Sequence, residues 1–175
     1  MELHERQAAI ERLQDNRQRV LAAVNGLSRE QQVFRPAEDQ WSVADCLEHI
    51  TLVESRILMG IQRALAQPPQ PEKRPEVAGK LDMLRGRLAD RSNKIVGPPQ
   101  MMPRGEWVNF SELVEEFEKV RGRTLTFTEG TSGDLHDHFF PHPVFQELDC
   151  YQWLILLGLH ADRHISQMEE IKAAA

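Results

Sequence analysis

Residues 146–172 read QELDCYQWLILLGLHADRHISQMEEIK, and the run from Trp153 to Leu159 within them decides the fold. Its residues are apolar at every helical bearing, as expected of a helix surrounded by other helices rather than lying on a surface. The run is far shorter than the about 20 apolar residues a membrane span needs. His160 and His164 follow at once. A helix turns about 100° per residue, so positions four apart leave nearly the same face, one turn from each other. Trp153, Leu156, Leu157 and Ile171 share that face, which directs it inward. Two adjacent buried imidazoles must each satisfy their ring nitrogens, and neither is easily charged beside the other. A shared cation resolves both problems, because neutral imidazole is its ligand. Zinc-protease helices use the same spacing.

Working outward, apolar residues at steps of three and four predict a first helix over about Leu3–Val24, stopped by Asn25-Gly26. Ser42 is a good N-cap, and with Asp45 it approximates a capping box for a second helix over about Val43–Ala66. The stripe of that helix is Cys46, Ile50, Val53, Ile57 and Ile61, and Gln67-Pro68-Pro69-Gln70-Pro71 ends it. An arginine-rich helix is expected over Val77–Lys94. Gly97 to Gly105 reads as irregular, with Trp107 covering an edge of the core. Ser111 is the expected N-cap of a helix to about Thr128, and Gly130–Pro143 reads as a loop before the last helix, Gln146–Lys172. No stretch alternates in the manner of a strand. Four long helices and one or two shorter ones make an all-α four-helix bundle, a single domain spanning 1–175.

The composition, 41% hydrophobic and 27% charged, is that of a globular chain. A net charge of −6 and the lack of a basic stripe argue against nucleic-acid binding. Arg85, Arg87 and Arg91 read as a solvated helix face. Cys46 and Cys150 fall inside apolar helical patterns, which reads as reduced, packed thiols rather than a disulfide framework. Met1–Arg6 is charged and has no secretory pattern, so a cytoplasmic protein is expected. His136, His138 and His142 form a second cluster, assigned to the loop rather than to a metal. Glu115, Glu116 and Glu118 read as solvated, and no G-x-S-x-G, C-x-x-C or phosphate loop is present.

His49 lies at the edge of the second helix's stripe, about 60° from Cys46, with Asp45 one turn before it. From the residues alone it is either a third ligand or a core histidine bonded to a carbonyl.

Trp41-Ser42-Val43 through His49-Ile50, then Pro141-His142-Pro143, Trp153 and His160-x-x-Arg163-His164-x-x-Gln167, resemble in order and helical placement the DinB-like family of metalloenzymes. The resemblance implies a DinB/YfiT-like bundle of up-down-down-up topology. It implies that His49, His160 and His164 bind nickel, zinc or a similar divalent ion such as iron or manganese. Arg163 and Gln167 match by type without an assigned role, and His142 matches a position that reads as structural. Three imidazoles leave a coordination position for water or substrate, the arrangement of a catalytic rather than a closed site. The expected function is metal-dependent hydrolysis or thiol S-transfer on a small molecule, with a low-molecular-weight thiol as one candidate partner and a homodimer as the assembly. The alternative is a non-catalytic metal-binding or dimerising bundle, which a fourth protein ligand would indicate.

Overall fold

The computed structural model describes residues 1–92, 95, 97–105, 107 and 109–175. Among these residues the elements run in the order α1 (Leu3–Val24), α2 (Arg29–Val33), α3 (Val43–Leu65), α4 (Arg74–Val77), α5 (Lys80–Ala89), α6 (Phe110–Gly130), β1 (Phe139–His142), β2 (Gln146–Asp149) and α7 (Cys150–Ala174). The four long helices are α1, α3, α6 and α7, and the bundle is theirs.

Pairings along their lengths set the helix directions. Arg6 donates to the carbonyls of Thr128 and Glu129 while Arg17 reaches Glu118, so α1 and α6 are antiparallel. Arg12 packs against Gly158 and Arg19 bonds Asp162, so α1 and α7 run together. His49 meets His160 at one end of α3, and Gly60 meets the hairpin beside Trp153 at the other, which makes α3 and α7 antiparallel. The topology is therefore up-down-down-up, as the family resemblance implied.

Nine consecutive residues of α7, Cys150 to Gly158, are buried, which is the all-round apolar pattern realised. Ser42 and Asp45 form the reciprocal capping box that starts α3, which fixes the bearing of His49 two turns on. A buried ion pair ties the scaffold together. Arg121 on α6 grips Glu54 on α3 through two bonds of 2.8 and 2.7 Å, and its third nitrogen donates to the Leu13 carbonyl of α1 at 2.6 Å.

Four expectations are corrected. The last helix begins at Cys150, because Gln146–Asp149 pairs with Phe139–His142 in an antiparallel hairpin, and Asp149 is the N-cap. Strands are thus present, four residues each and the first containing Pro141, too short for an alternation to be read. The helix expected over Val77–Lys94 is broken at Gly79, whose φ of 75° is left-handed. It resumes as α5, and its expected end at Lys94 lies outside the described residues. Asn109 rather than Ser111 precedes α6, and the short α2, boxed by Ser28 and Gln31, carried too few residues for a periodicity.

Candidate metal centre

His49 comes from α3, and His160 and His164 from α7; the structure brings all three together. Each can offer a ring nitrogen such that all three atoms lie within 4.8 Å of one another. The Nε2 atoms of His49 and His164 stand 3.0 and 3.2 Å from Nε2 of His160. His49 and His164 are buried and His160 partly so.

The other ring nitrogens settle the tautomers. Nδ1 of His49 lies 2.6 Å from the Met101 carbonyl, which can only accept, so the proton is on Nδ1. Nδ1 of His164 lies 3.0 Å from Oε1 of Gln167, which accepts in the same way. Both Nε2 atoms therefore present bare lone pairs to His160. A proton on Nε2 of His160 could satisfy one of them and would leave the other facing it without a donor. Converging lone pairs of this kind fit a cation, and imidazoles oriented by carbonyl and amide oxygens are the usual second layer of a metal site. Burial, then mutual proximity and Arg163, holds His160 well below the ordinary histidine range. His164 is pushed down to about 3 by burial, His49 and nearby arginines, and burial lowers His49 as well. All three are thus neutral near pH 7, the ligand form.

Residues that sequence reasoning passed over complete the site. Glu48, next to His49, accepts from the backbone N–H groups of Arg104 and Gly105 at 2.9 Å each. That anchors the loop whose Met101 carbonyl orients His49. Trp41 covers the cluster, its ring centroid 4.7 Å from His49 and stacked 5.6 Å from His164. Gln167 was matched by type only, yet it orients His164; its i+3 spacing from His164 was the available signal. Arg163 donates to the carbonyls of Leu88 and Asp90 and also lines the cavity described below. Arg91, read as a solvated face, is bonded to Glu170 and to the Arg163 carbonyl.

The remaining candidates disperse. His136 sits between Glu5 and Asp149, and His138 bonds the Ala64 carbonyl at 3.0 Å. Asp45 is absorbed by Ser42 and Arg35. Cys46 and Cys150 are fully buried in the core, and burial raises both thiols, Cys150 to about 12. Neither is a nucleophile or ligand in that state. Among the described residues, no fourth His, Cys, Asp or Glu joins the three histidines.

The cluster opens onto a cavity of about 800 Å³ between α3, α7, the 97–102 loop and the hairpin. His142, expected to serve only the loop, lines this cavity from β1. Among the described residues no helix is long and apolar enough to cross a membrane.

An up-down-down-up bundle with a histidine cluster lining a cavity defines a class of helical proteins with a candidate metal centre. The model of the DinB superfamily matches residues 12–168, and the chain belongs to that family. YuaE of Bacillus subtilis (strain 168) is 30% identical over 152 residues, covering 85% of this chain and 88% of YuaE. Two solved structures share the fold. TT2238, described as a four-helix bundle protein, has a TM-score of 0.59 at 21% identity, covering 94% of this chain and 98% of its own. YfiT from Bacillus subtilis, described as a probable metal-dependent hydrolase with an unusual four-helix bundle topology, has a TM-score of 0.61 at 13% identity, covering 99% and 89%.

Proposed function

We propose that this chain is a metal-dependent hydrolase of small molecules, with His49, His160 and His164 holding one divalent transition-metal ion. The observation that carries the reading is the tautomer pattern: two Nε2 lone pairs, fixed by Met101 and Gln167, converge on a third imidazole. Three neutral imidazoles suit zinc or nickel better than manganese or iron(II). A divalent ion held there supplies a Lewis acid and brings water to a near-neutral pKa.

The chain's own residues do the rest. Met101 and Gln167 hold the imidazoles in register, Trp41 shields them from bulk water, and the apolar cavity walls take up the substrate. The lack of a fourth ligand among the described residues favours an open position over a closed structural site. The description of YfiT as a metal-dependent hydrolase supports the choice of reaction. A low-molecular-weight thiol could use the same position, and the buried cysteines mean that any thiol chemistry needs a thiol from outside the chain. Self-association as a homodimer is a separate proposal, tested by sedimentation.

The test is turnover of a panel of small carboxylic esters and amides by zinc- and nickel-loaded protein, beside a thiol with an electrophilic acceptor. Metal-dependent hydrolysis that His160→Ala abolishes is expected. A fully loaded protein that hydrolyses none of them above the metal-free rate contradicts the reading, and thiol transfer alone replaces hydrolysis with transferase chemistry.

A further inference from the structure

The cavity extends well past the histidines, and its far end carries polar groups that the metal chemistry leaves unused. Arg56 lines it from α3. It follows His49 by seven residues, which places it about 10 Å along the helix and within about 20° of the same bearing. Unlike Arg91, it has no carboxylate or carbonyl partner among the described residues.

His142 lines the same cavity from β1, with its ring 4.9 Å from that of Trp153. Trp153 precedes His160 on α7 by seven residues, again about 10 Å. A Cβ on Gly60, one turn beyond Arg56, would lie 2.8 Å from the Phe140 ring, so β1 is pressed against α3 at this level. Arg56 and Trp153, which His142 packs against, thus lie at a similar level along the two helices.

The tautomer of His142 is also determined. Its Nδ1 accepts the backbone N–H groups of Val144 at 3.0 Å and Phe145 at 3.2 Å, which puts the ring proton on Nε2. Among the described residues that Nε2–H has no acceptor, and it is not among the buried polar atoms left without a partner, so it is accessible on a residue that lines the cavity. Among the described residues, the charges lining the cavity are those of Arg56, Arg91 and Arg163 against Asp39 and Glu170, and Glu170 is taken up by Arg91. In a chain of net charge −6, this described part of the lining has an excess of positive charge even before any ion is bound.

We propose that the hairpin end of the cavity is an anion subsite, in which Arg56 and the Nε2–H of His142 hold a carboxylate at the tail of the substrate. The reacting group then lies at the histidine cluster, about 10 Å along the helices, and the apolar middle runs along Val53 and Leu156. The substrate class is an elongated acid whose scissile or reacting group is at the end opposite its carboxylate. This rests on the reading of the cluster as a metal centre.

The probe is suberic acid monohydroxamate, which offers a metal-binding head and a carboxylate tail, compared with its methyl ester, which differs only in the tail charge. Zinc-loaded wild type should bind the acid at least about 10-fold more tightly than the ester, as a charge-assisted contact implies. Arg56→Gln should cut that preference below about 3-fold while leaving ester affinity and zinc content unchanged, a pattern that a merely structural role would not give. His142→Phe, which keeps an aromatic ring in contact with Trp153, should reduce the preference in part. Equal binding of acid and ester by zinc-loaded wild type, or a preference that survives Arg56→Gln, overturns the subsite and leaves the metal centre standing. If the chain takes up no zinc, the metal reading fails instead. The subsite is then read on metal-free protein with octanoate against octanamide by thermal shift, where a lack of Arg56-dependent stabilisation by octanoate overturns it.

Discussion

Arg121→Met should remove about 3–5 kcal/mol of folding stability. The side chains of Arg121 and Glu54 are 0% and 2% exposed, so both ions have lost their water. In such a pair the Coulombic gain and the desolvation penalty largely cancel, and the net worth of the intact pair is small. Removing only the cation is different: the Glu54 carboxylate stays in the core with nothing to balance it. Methionine keeps most of the packing over Phe117, whose ring centroid is 5.4 Å from the guanidinium carbon, so cavity formation adds little. At about 2–4 °C per kcal/mol for a chain of this size, Tm should fall by about 6–20 °C. The double variant Glu54→Leu/Arg121→Met removes both charges and should recover to within about 2 kcal/mol of wild type. Urea and thermal unfolding followed by circular dichroism on metal-free protein measure all three. A single-variant loss below about 1 kcal/mol, or a double variant no better than the single, refutes the account of this pair as a mutually dependent clamp.

Gln167→Leu removes the oxygen that fixes the His164 tautomer, and metal affinity should fall about 10–100-fold in a chelator competition; an unchanged affinity means that Gln167 does not orient the ligand. His136 has its pKa raised to about 9, chiefly by its bond to Asp149, with Glu5 adding to it. A folded pKa raised above the unfolded one means that the stabilisation is whole below about pH 6.5 and is lost as pH rises through about 9. Wild type should therefore lose about 2 kcal/mol between those limits that His136→Gln does not, and parallel pH profiles would count against the contact. Gly60→Ala places a methyl against Phe140, whose ring is pinned 4.3 Å from that of Trp153. Despite a gain of about 1 kcal/mol in helix propensity, the variant should be no more stable than wild type, and a higher Tm would show that the hairpin yields freely.

The bundle was legible because its long helices advertise themselves: the all-round apolar run of α7 and the Ser42–Asp45 box of α3 are local signals. The hairpin was not, since four-residue strands with a proline among them leave no period to read, and they pack on Trp153 of the next helix through the Phe140 ring and carbonyl, contacts that no local pattern shows. The pairing of His160 with His164 follows from helix geometry. His49 lies 111 residues from His160, and only the family resemblance joined it to the pair before the structure placed its Nε2 at 3.0 Å. The orienting groups were hidden for another reason. Met101 contributes a backbone carbonyl, to which a side-chain pattern is blind, and Glu48 acts by holding the loop that delivers it. His142 was assigned to the loop on composition, and its place at the cavity depends on the register of β1 with β2.

The central claim is that three neutral imidazoles hold one ion, and metal content tests it most directly. Elemental analysis of purified protein, followed by titration with zinc and nickel, should give about one equivalent per chain for wild type and less than about 0.1 for His160→Ala. Wild type below about 0.1 equivalent with no uptake on titration, or a His160→Ala variant that keeps its full metal content, would contradict the account.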